Sequence, residues 1–433
     1  MNEALLGLMG FGAALGLIAL GVPVAISMGS IGALGYWYLN GWMGAAYILG
    51  SGPFEAIFPY SFTVIPLFVM MGVFASHAGL SRSLFDVINS FLGHRKGGLA
   101  ITTIGASAFF GAICGSSLAT VATIGRVALP EMKRHGYDPA LSTATVAAGG
   151  TLGVLIPPSV LLVVYGLLTQ SSIGQLFIGA LVPGILGALL YAGAIMVKVR
   201  ISPDAAPRAE RADWATRLRH LGRVWQVILL FALVIGGIYL GWFSPTEAAA
   251  VGAVGAFLLA LLSGELNRKS LSNSVFETAG LTGMIFFILV GAALFNFFLE
   301  NTGLPQLLIE QIRLSGLGPT QVMLLILLFY LVLGCFMDSM SMILLTVPLL
   351  APVAQELDYN LIWFGIIVVT VAEIGLITPP IGMNLFVVKA SAPEVPMATV
   401  VKGIVPFILA DFLRLVLLVA FPMLVLWLPA HSM

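Results

Sequence analysis

Charge is what this chain has least of. Only 9% of its 433 residues are charged, 59% are hydrophobic, and the mean hydropathy is +1.06. A soluble domain carries about 25% charged residues. A surface this apolar excludes a water-soluble globule and requires lipid as solvent. Lys plus Arg and Asp plus Glu balance at 19 each, which argues against nucleic acid as a partner. The two cysteines, Cys114 and Cys335, both sit in apolar stretches, so a disulfide framework is not expected. The opening residues MNEALLGLMG lack a basic n-region and read as the start of a span, not a cleaved signal. No HExxH motif and no paired GxGD aspartates occur, and Gly115-Ser116-Ser117 is only a faint echo of a serine-protease loop. His77, His94, His135, His220 and His431 all fall near predicted span ends. With no base to activate a nucleophile, an intramembrane enzyme is the weakest reading. The absence of a Walker A motif excludes ATP-driven transport by this chain.

What the sequence does have is apolar runs. A bilayer core takes about 20 apolar residues per helix. Runs of that order cover 4–20, 23–39, 60–78, 138–167, 174–198, 223–241, 245–263, 279–298, 361–390 and 399–428. Two further stretches, 98–134 and 318–356, are too long for one span and break at small or polar residues. They read as re-entrant helical hairpins.

Basic residues orient this map, because they collect in cytoplasmic loops. With the 199–222 loop inside, 16 of the 19 Lys and Arg lie on the cytoplasmic side, among them Arg82, Arg95, Lys133, Lys198, Arg208, Arg268 and Lys402. Arg313 falls outside, and Arg126 and Arg414 lie within the membrane. Both termini then face the periplasm or exterior.

The two halves align at a nearly constant offset. Gly79-Leu80 matches Gly303-Leu304 at 224, and Gly111 matches Gly334 and Ser116 matches Ser339 at 223. Pro130 with Pro352, Gly153 with Gly375, and Pro157-Pro158 with Pro379-Pro380 all differ by 222. Such a run marks an internal repeat. Five spans plus one hairpin per half force the second copy to insert inverted. The expected organisation is a first repeat over 1–200, a cytoplasmic linker over 201–222 and a second repeat over 223–433. The fold class is therefore all-α and polytopic. Inverted repeats with interrupted helices characterise secondary transporters, whose sites lie near the midplane. An ancient duplication without a transport role is the bland alternative, and a channel shares the wet core.

The interruptions carry the chemistry. The first hairpin breaks at Cys114-Gly115-Ser116-Ser117. In the segment after it, Gly149, Gly150, Gly153, Pro157 and Pro158 predict a helix broken at membrane depth. The second hairpin breaks near Met337-Asp338-Ser339-Met340, and the helix after it around Gly375 to Pro380. Irregular backbone at that depth survives only where it is buried in protein or lines a wet cavity. Freed carbonyls and nearby hydroxyls suit a hard cation such as Na⁺, and half-helix N-termini favour anionic groups. Each hairpin tip facing a broken helix is a candidate ion site, and the space between them a candidate solute site. The alternative for Ser116, Ser117 and Ser339 is close helix packing.

Other polar positions are weaker signals. Asp338 at a hairpin tip is functional by default unless paired. Glu373 lies just before the second break and either pairs with a cation or, with Asn384 beyond it, lines the solute space. Arg126 either attracts an anionic solute or neutralises a neighbouring carboxylate. Asp411 and Arg414 share one helical face and read as a structural pair. Thr246 and Glu247 in SPTEAAA mark a helix start. In SRSLFDVINSFL, Leu84, Phe85, Ile88, Phe91 and Leu92 share one face, and LPQLLIEQIRL occupies the equivalent place. Both read as interfacial helices leading into a hairpin.

GLSRSLFD, GHRKGGLA, FFGAICGSSLATVATIG, PEMKRHGY, GGTLGVLIPPSVLLVVYG, FSPTEAAA and ITPPIGMNLFVV together resemble the large membrane subunit, of DctM type, of tripartite ATP-independent periplasmic (TRAP) transporters. The resemblance runs over nearly the whole chain. It implies a multi-pass protein of the bacterial inner membrane that takes up organic acids, driven by Na⁺, through an elevator mechanism. It also implies two partners, a small four-span membrane subunit and a periplasmic substrate-binding protein. Carried over by motif, one sodium site falls on Ser116, Ser117, Gly150 and Gly153, and the other on Asp338, Ser339, Gly375 and Thr378. No extra four-span segment precedes residue 4, so the small subunit is expected as a separate chain.

Overall fold

A computed structural model describes residues 3–264 and 266–431. In it the chain folds as α1 (Glu3–Ala19), α2 (Val24–Ile57), α3 (Val64–His77), α4 (Leu80–Leu92), α5 (Gly98–Cys114), α6 (Ser117–Arg134), α7 (Pro139–Leu155), α8 (Val160–Thr169), α9 (Ile173–Ile201) and α10 (Trp214–Phe231). A π turn at Ala232–Gly236 joins α10 to the short α11 (Gly237–Tyr239). The rest is α12 (Pro245–Leu262), α13 (Arg268–Asn301), α14 (Leu304–Ser315), α15 (Pro319–Gly334), α16 (Ser339–Glu356), α17 (Leu361–Ile377), α18 (Met383–Ser391), α19 (Met397–Ala420) and α20 (Met423–His431). The element order from α3 to α9 recurs from α13 to α19.

Among the described residues, seven helices are long and apolar enough to cross a membrane, or eight if α7 and α8, bent by 41° at their break, count as one span. The sequence map held ten spans. Six of the seven are predicted spans and the other is α16, an arm of the second predicted hairpin; of the remaining predicted spans, α2 is not among the seven, and α1 and α17 have only 17 residues each. At 1.5 Å per residue such helices reach about 25 Å, short of a ~30 Å hydrocarbon core.

Several boundaries move for local reasons. α2 runs 18 residues past the predicted end at 39, turning at Gly41, whose φ of 72° suits glycine. Beyond the turn Trp42, Met43, Tyr47 and Phe54 are exposed. α10 begins at Trp214, inside the predicted linker, because Asp213 caps it by accepting from Thr216 N at 3.2 Å. The last predicted span divides into α19 and α20 at Phe421-Pro422. The helix start expected at Thr246 and Glu247 is the first turn of α12, and Ser244 caps it. Ser244 accepts from Glu247 N at 3.3 Å and its amide donates back to the Glu247 carboxylate at 2.8 Å.

The glycines expected to break α7 and α17 do not break them. Gly149, Gly150, Gly153 and Gly375 stay helical, and the interruptions fall at the prolines, over 156–159 and 378–382. Pro157-Pro158 and Pro379-Pro380 are both cis. The glycines serve packing instead. A Cβ on Gly111 would collide with the Gly153 backbone, and one on Gly375 would stand 2.5 Å from Gly334 Cα. α5 thus crosses α7, and α15 crosses α17, with backbone nearly touching backbone.

Helices α2, α3, α12 and α13 pack together as one group. The hairpins α5–α6 and α15–α16 pack on α7 and α17. The second arm of each interrupted helix packs across, α8 on α16 and α18 on α6. Amphipathic α4 lies between α5 and α10, burying Leu84 and Phe85. Phe91 departs from the predicted face: it is half exposed and its ring carries the Arg217 guanidinium, 5.4 Å from the centroid. Arg313, the basic residue outside the cytoplasmic set, pairs with Glu356.

Candidate functional site

The interruptions meet around one cavity of about 640 Å³. Its walls come from the first hairpin tip (Gly115 to Ala119), the second tip (Asp338 to Met340), Arg126 on α6, Glu373 and Leu376 on α17, and the facing sides of α3 and α13. The N-terminal turns of α6, α8 and α16 all open onto it through Ser117, Val160 and Ser339. First-turn amides and the helix dipoles make such a convergence favourable to anions.

Local sequence explains how each tip is held. Ser116 caps α6, accepting from Ala119 N at 3.4 Å. Asp338 caps α16: Oδ1 accepts from Ser341 N at 3.0 Å, and Oδ2 accepts from the Ser341 hydroxyl at 2.5 Å. The Asp338 carboxylate is therefore solvated by its own helix start.

Glu373 is fully buried on α17 and touches both tips. The Ser339 hydroxyl donates to Glu373 Oε1 at 2.8 Å, and the Ser117 side chain lies close to the same carboxylate. Glu373 Oε2 has no hydrogen-bond partner. A buried carboxylate oxygen without a donor is costly, and it is the kind of group a cation satisfies. In the first half the buried Thr120 hydroxyl also lacks a partner. It stands where a Cβ on Gly153 would meet it at 2.6 Å. Among the described residues no three His, Cys, Asp or Glu side chains group to hold a metal ion. These two oxygen-lined places fit a hard monovalent ion better than a transition metal.

The remaining sequence candidates divide. Gly150 packs beside the Ser117 carbonyl, 3.0 Å from where its Cβ would be. The Gly375 carbonyl accepts from Thr378 N at 3.1 Å, and the Thr378 hydroxyl donates to Ile374 O at 2.6 Å, so both already serve the end of α17. Asn384 is fully buried away from the cavity wall. Its amide donates to Ser117 Oγ at 2.9 Å and to Ala147 O at 3.1 Å, pinning α18 to the first hairpin and α7. Arg126 is exposed to the cavity. Its Nε donates only to Ala122 O at 3.2 Å, and among the described residues no carboxylate lies within 4.0 Å of it. Of its two sequence readings, the geometry favours a free cation facing the cavity over the partner of a carboxylate.

Sequence reasoning passed over His77 and Glu277. They meet in the cavity wall, His77 Nε2 3.3 Å from Glu277 Oε2. The available signal was a lone acid two residues before a predicted span. Asp411 and Arg414 do pair, at 2.8 Å and with no exposure. Tyr191 adds a hydrogen bond to Asp411 at 2.5 Å and bonds Thr151 at 2.8 Å, so the pair locks α7, α9 and α19 together.

Residues 11–424 match the family described as "Tripartite ATP-independent periplasmic transporter, DctM component". The chain is 37% identical over 382 residues to the C4-dicarboxylate TRAP transporter large permease protein DctM of Pseudomonas aeruginosa, covering 88% of this chain and 87% of that protein. It is 32% identical over 422 residues to the sialic acid TRAP transporter large permease protein SiaM of Vibrio cholerae, with 96% of each covered. It is 30% identical over 415 residues to the ectoine TRAP transporter large permease protein TeaC of Halomonas elongata, again with 96% of each covered. Among solved structures, the fold is similar to that of the YdaH transporter of Alcanivorax borkumensis, with a TM-score of 0.65 at 16% identity over 98% of both chains. It is similar also to MtrF of Neisseria gonorrhoeae, at 0.62 and 14% over 99% of this chain and 95% of that one. These relatives are transporters and not enzymes. A polytopic helical membrane protein matched over nearly its full length by large permeases, this chain belongs to the DctM component family of tripartite ATP-independent periplasmic transporters.

Proposed function

We propose that the chain is the transport subunit of a Na⁺-coupled importer of small organic acids in the bacterial inner membrane. The observation that carries this reading is the cavity between the two hairpin tips, where three helix N-termini and the unpaired Arg126 face one space. That electrostatic setting favours an anionic solute. Two of the relatives named above, the C4-dicarboxylate and sialic acid permeases, are named for acids.

Coupling is assigned to two oxygen-lined places. Ser116, Ser117, Gly150 and Gly153, with the unsatisfied Thr120 hydroxyl, form the first. Asp338, Ser339, Gly375 and Thr378, with the orphan oxygen of Glu373, form the second. Na⁺ bound there would supply the charge that the carboxylate and carbonyl oxygens lack, stabilising both hairpin tips against their interrupted helices. Solute binding beside a stabilised tip is then favoured, which is positive coupling between the two ligands.

The recurrence of element order from α3–α9 to α13–α19, at offsets near 222, supports two inverted repeats over 1–200 and 223–433 joined by 201–222. In this reading α2, α3, α12 and α13 are the frame. The hairpins, interrupted helices, α9 and α19 move against it as an elevator, with α4 and α14 as arms. A small four-span subunit binds the frame, and a periplasmic binding protein delivers the solute. The test is uptake of a labelled organic acid into vesicles holding the chain with both partner subunits. Saturable uptake that needs an inward Na⁺ gradient and both partners is expected. Flux that is linear in solute concentration makes the protein channel-like, and saturable uptake by this chain alone overturns the three-part reading.

A further inference from the structure

A second cavity, of about 410 Å³, lies at one end of the bundle and is separate from the transport cavity. Its walls are the start of α7, the last turns of α9 and the first turns of α19. Lys198 and Lys402 both line it. Among the described residues neither ammonium has a carboxylate within 4.0 Å. The carboxylate in the same cavity, Asp138, is engaged as the cap of α7, accepting from Ala140 N at 2.9 Å. The site therefore holds two unpaired cations against one committed anion. Thr399 and the first turn of α19, which Pro396 leaves without a side-chain cap, add polar groups to the same wall.

The surroundings say what kind of anion fits. From the lysines toward the middle of each helix, the exposed side chains are apolar. Leu189 and Val197 on α9 are 64% and 58% exposed, and Val405 and Leu409 on α19 are 49% and 64%. A free inorganic anion has no use for such walls. A molecule with an anionic head and two acyl chains uses both halves. Basic pockets between membrane helices at the level of the headgroups are suited to anionic phospholipids.

We propose that this cavity binds the headgroup of an anionic phospholipid, its phosphate between Lys198 and Lys402 and its acyl chains along the apolar sides of α9 and α19. A bound lipid there bridges α7, α9 and α19. It gives this end of the bundle a preference for one leaflet composition, independent of Na⁺ and solute.

The experiment is native mass spectrometry of the purified full chain with phosphatidylglycerol or phosphatidylcholine of matched chains. Preferential retention of phosphatidylglycerol is expected, falling about fivefold for Lys198→Gln or Lys402→Gln alone. Lys198→Arg with Lys402→Arg should keep it, and millimolar inorganic phosphate should not displace it. Equal retention of the two lipids overturns the proposal, as does retention unchanged in the double glutamine variant. Displacement by inorganic phosphate overturns the lipid assignment in favour of a free-anion site. The lipid comparison and the phosphate competition use the unaltered protein, so a glutamine variant that fails to fold does not remove the test.

Discussion

The Ser339 hydroxyl donates to Glu373 Oε1 at 2.8 Å, joining the tip of the second hairpin to the interrupted helix after it. The other oxygen of the same fully buried carboxylate has no partner. One side of Glu373 is thus satisfied by protein, and the other is not.

Ser339→Ala should therefore act on Na⁺ more than on solute. It leaves Glu373 Oε1 without its donor, a loss of about 1–3 kcal/mol for a buried polar group. In vesicles with both partners, the Na⁺ concentration for half-maximal uptake should rise severalfold, and Ser339→Thr should restore much of the response. An unchanged Na⁺ curve for both Ser339→Ala and Glu373→Gln would remove Glu373 from the coupling site.

Arg126→Gln should act on solute. Losing one charge-assisted contact costs about 1.5–3 kcal/mol, so KM for an anionic solute should rise about tenfold or more. The Na⁺ response at saturating solute should stay the same. A KM equal to that of the unaltered protein would sink the role given to Arg126.

Gly111→Ala and Gly375→Ala test the backbone crossings. In each case the new methyl meets backbone, of Gly153 or of Gly334, which cannot rotate away. Overpacking typically costs about 1–3 kcal/mol, and these sites belong at the upper end because rigid helices must separate. A lowered melting temperature in detergent is the expected readout. Alanine at Gly136, where nothing lies within 4 Å, meets no neighbour, but its φ of 72° makes it a test of strain alone.

Asp411→Asn should destabilise far more than Tyr191→Phe. It leaves the fully buried Arg414 charge without its partner, about 3–5 kcal/mol. Losing the tyrosine hydroxyl removes hydrogen bonds worth about 1 kcal/mol each. Thermal unfolding of the two variants in one detergent gives the comparison, and equal melting temperatures would contradict a buried ion pair at this position.

Accessibility to a membrane-impermeant thiol reagent checks the orientation. A cysteine at Asp358, in the turn between α16 and α17, should label in intact cells, and one at Glu210 should not. The reverse pattern would invert the whole map.

The membrane class and the helix breaks at Gly115-Ser116 and near Asp338 were legible from composition and from the spacing of polar and apolar residues. So was the Asp411–Arg414 pair, because residues three apart on a helix share a face whatever surrounds them. The role of the glycines was not. In sequence, Gly153 and Gly375 look like helix breakers beside the prolines. A glycine's missing side chain serves equally to let a second helix approach, and only the neighbour at 2.5 Å distinguishes the two. Arg126 carried two readings for a similar reason: a charge does not reveal in sequence whether a carboxylate waits across the fold.

The sequence by itself determined the membrane class, the family and the points where the hairpins and the proline-bearing helices break, since these follow from solvation, from long shared motifs and from local backbone chemistry. Only the tertiary structure decided that Ser339 and Ser117 converge on Glu373 while Asn384 turns away to Ala147. It also decided that His77 meets Glu277 in the wall of the cavity. The Asn384–Ala147 and His77–Glu277 contacts join residues 237 and 200 positions apart. They depend on how rigid helices pack, which no local pattern of residues encodes.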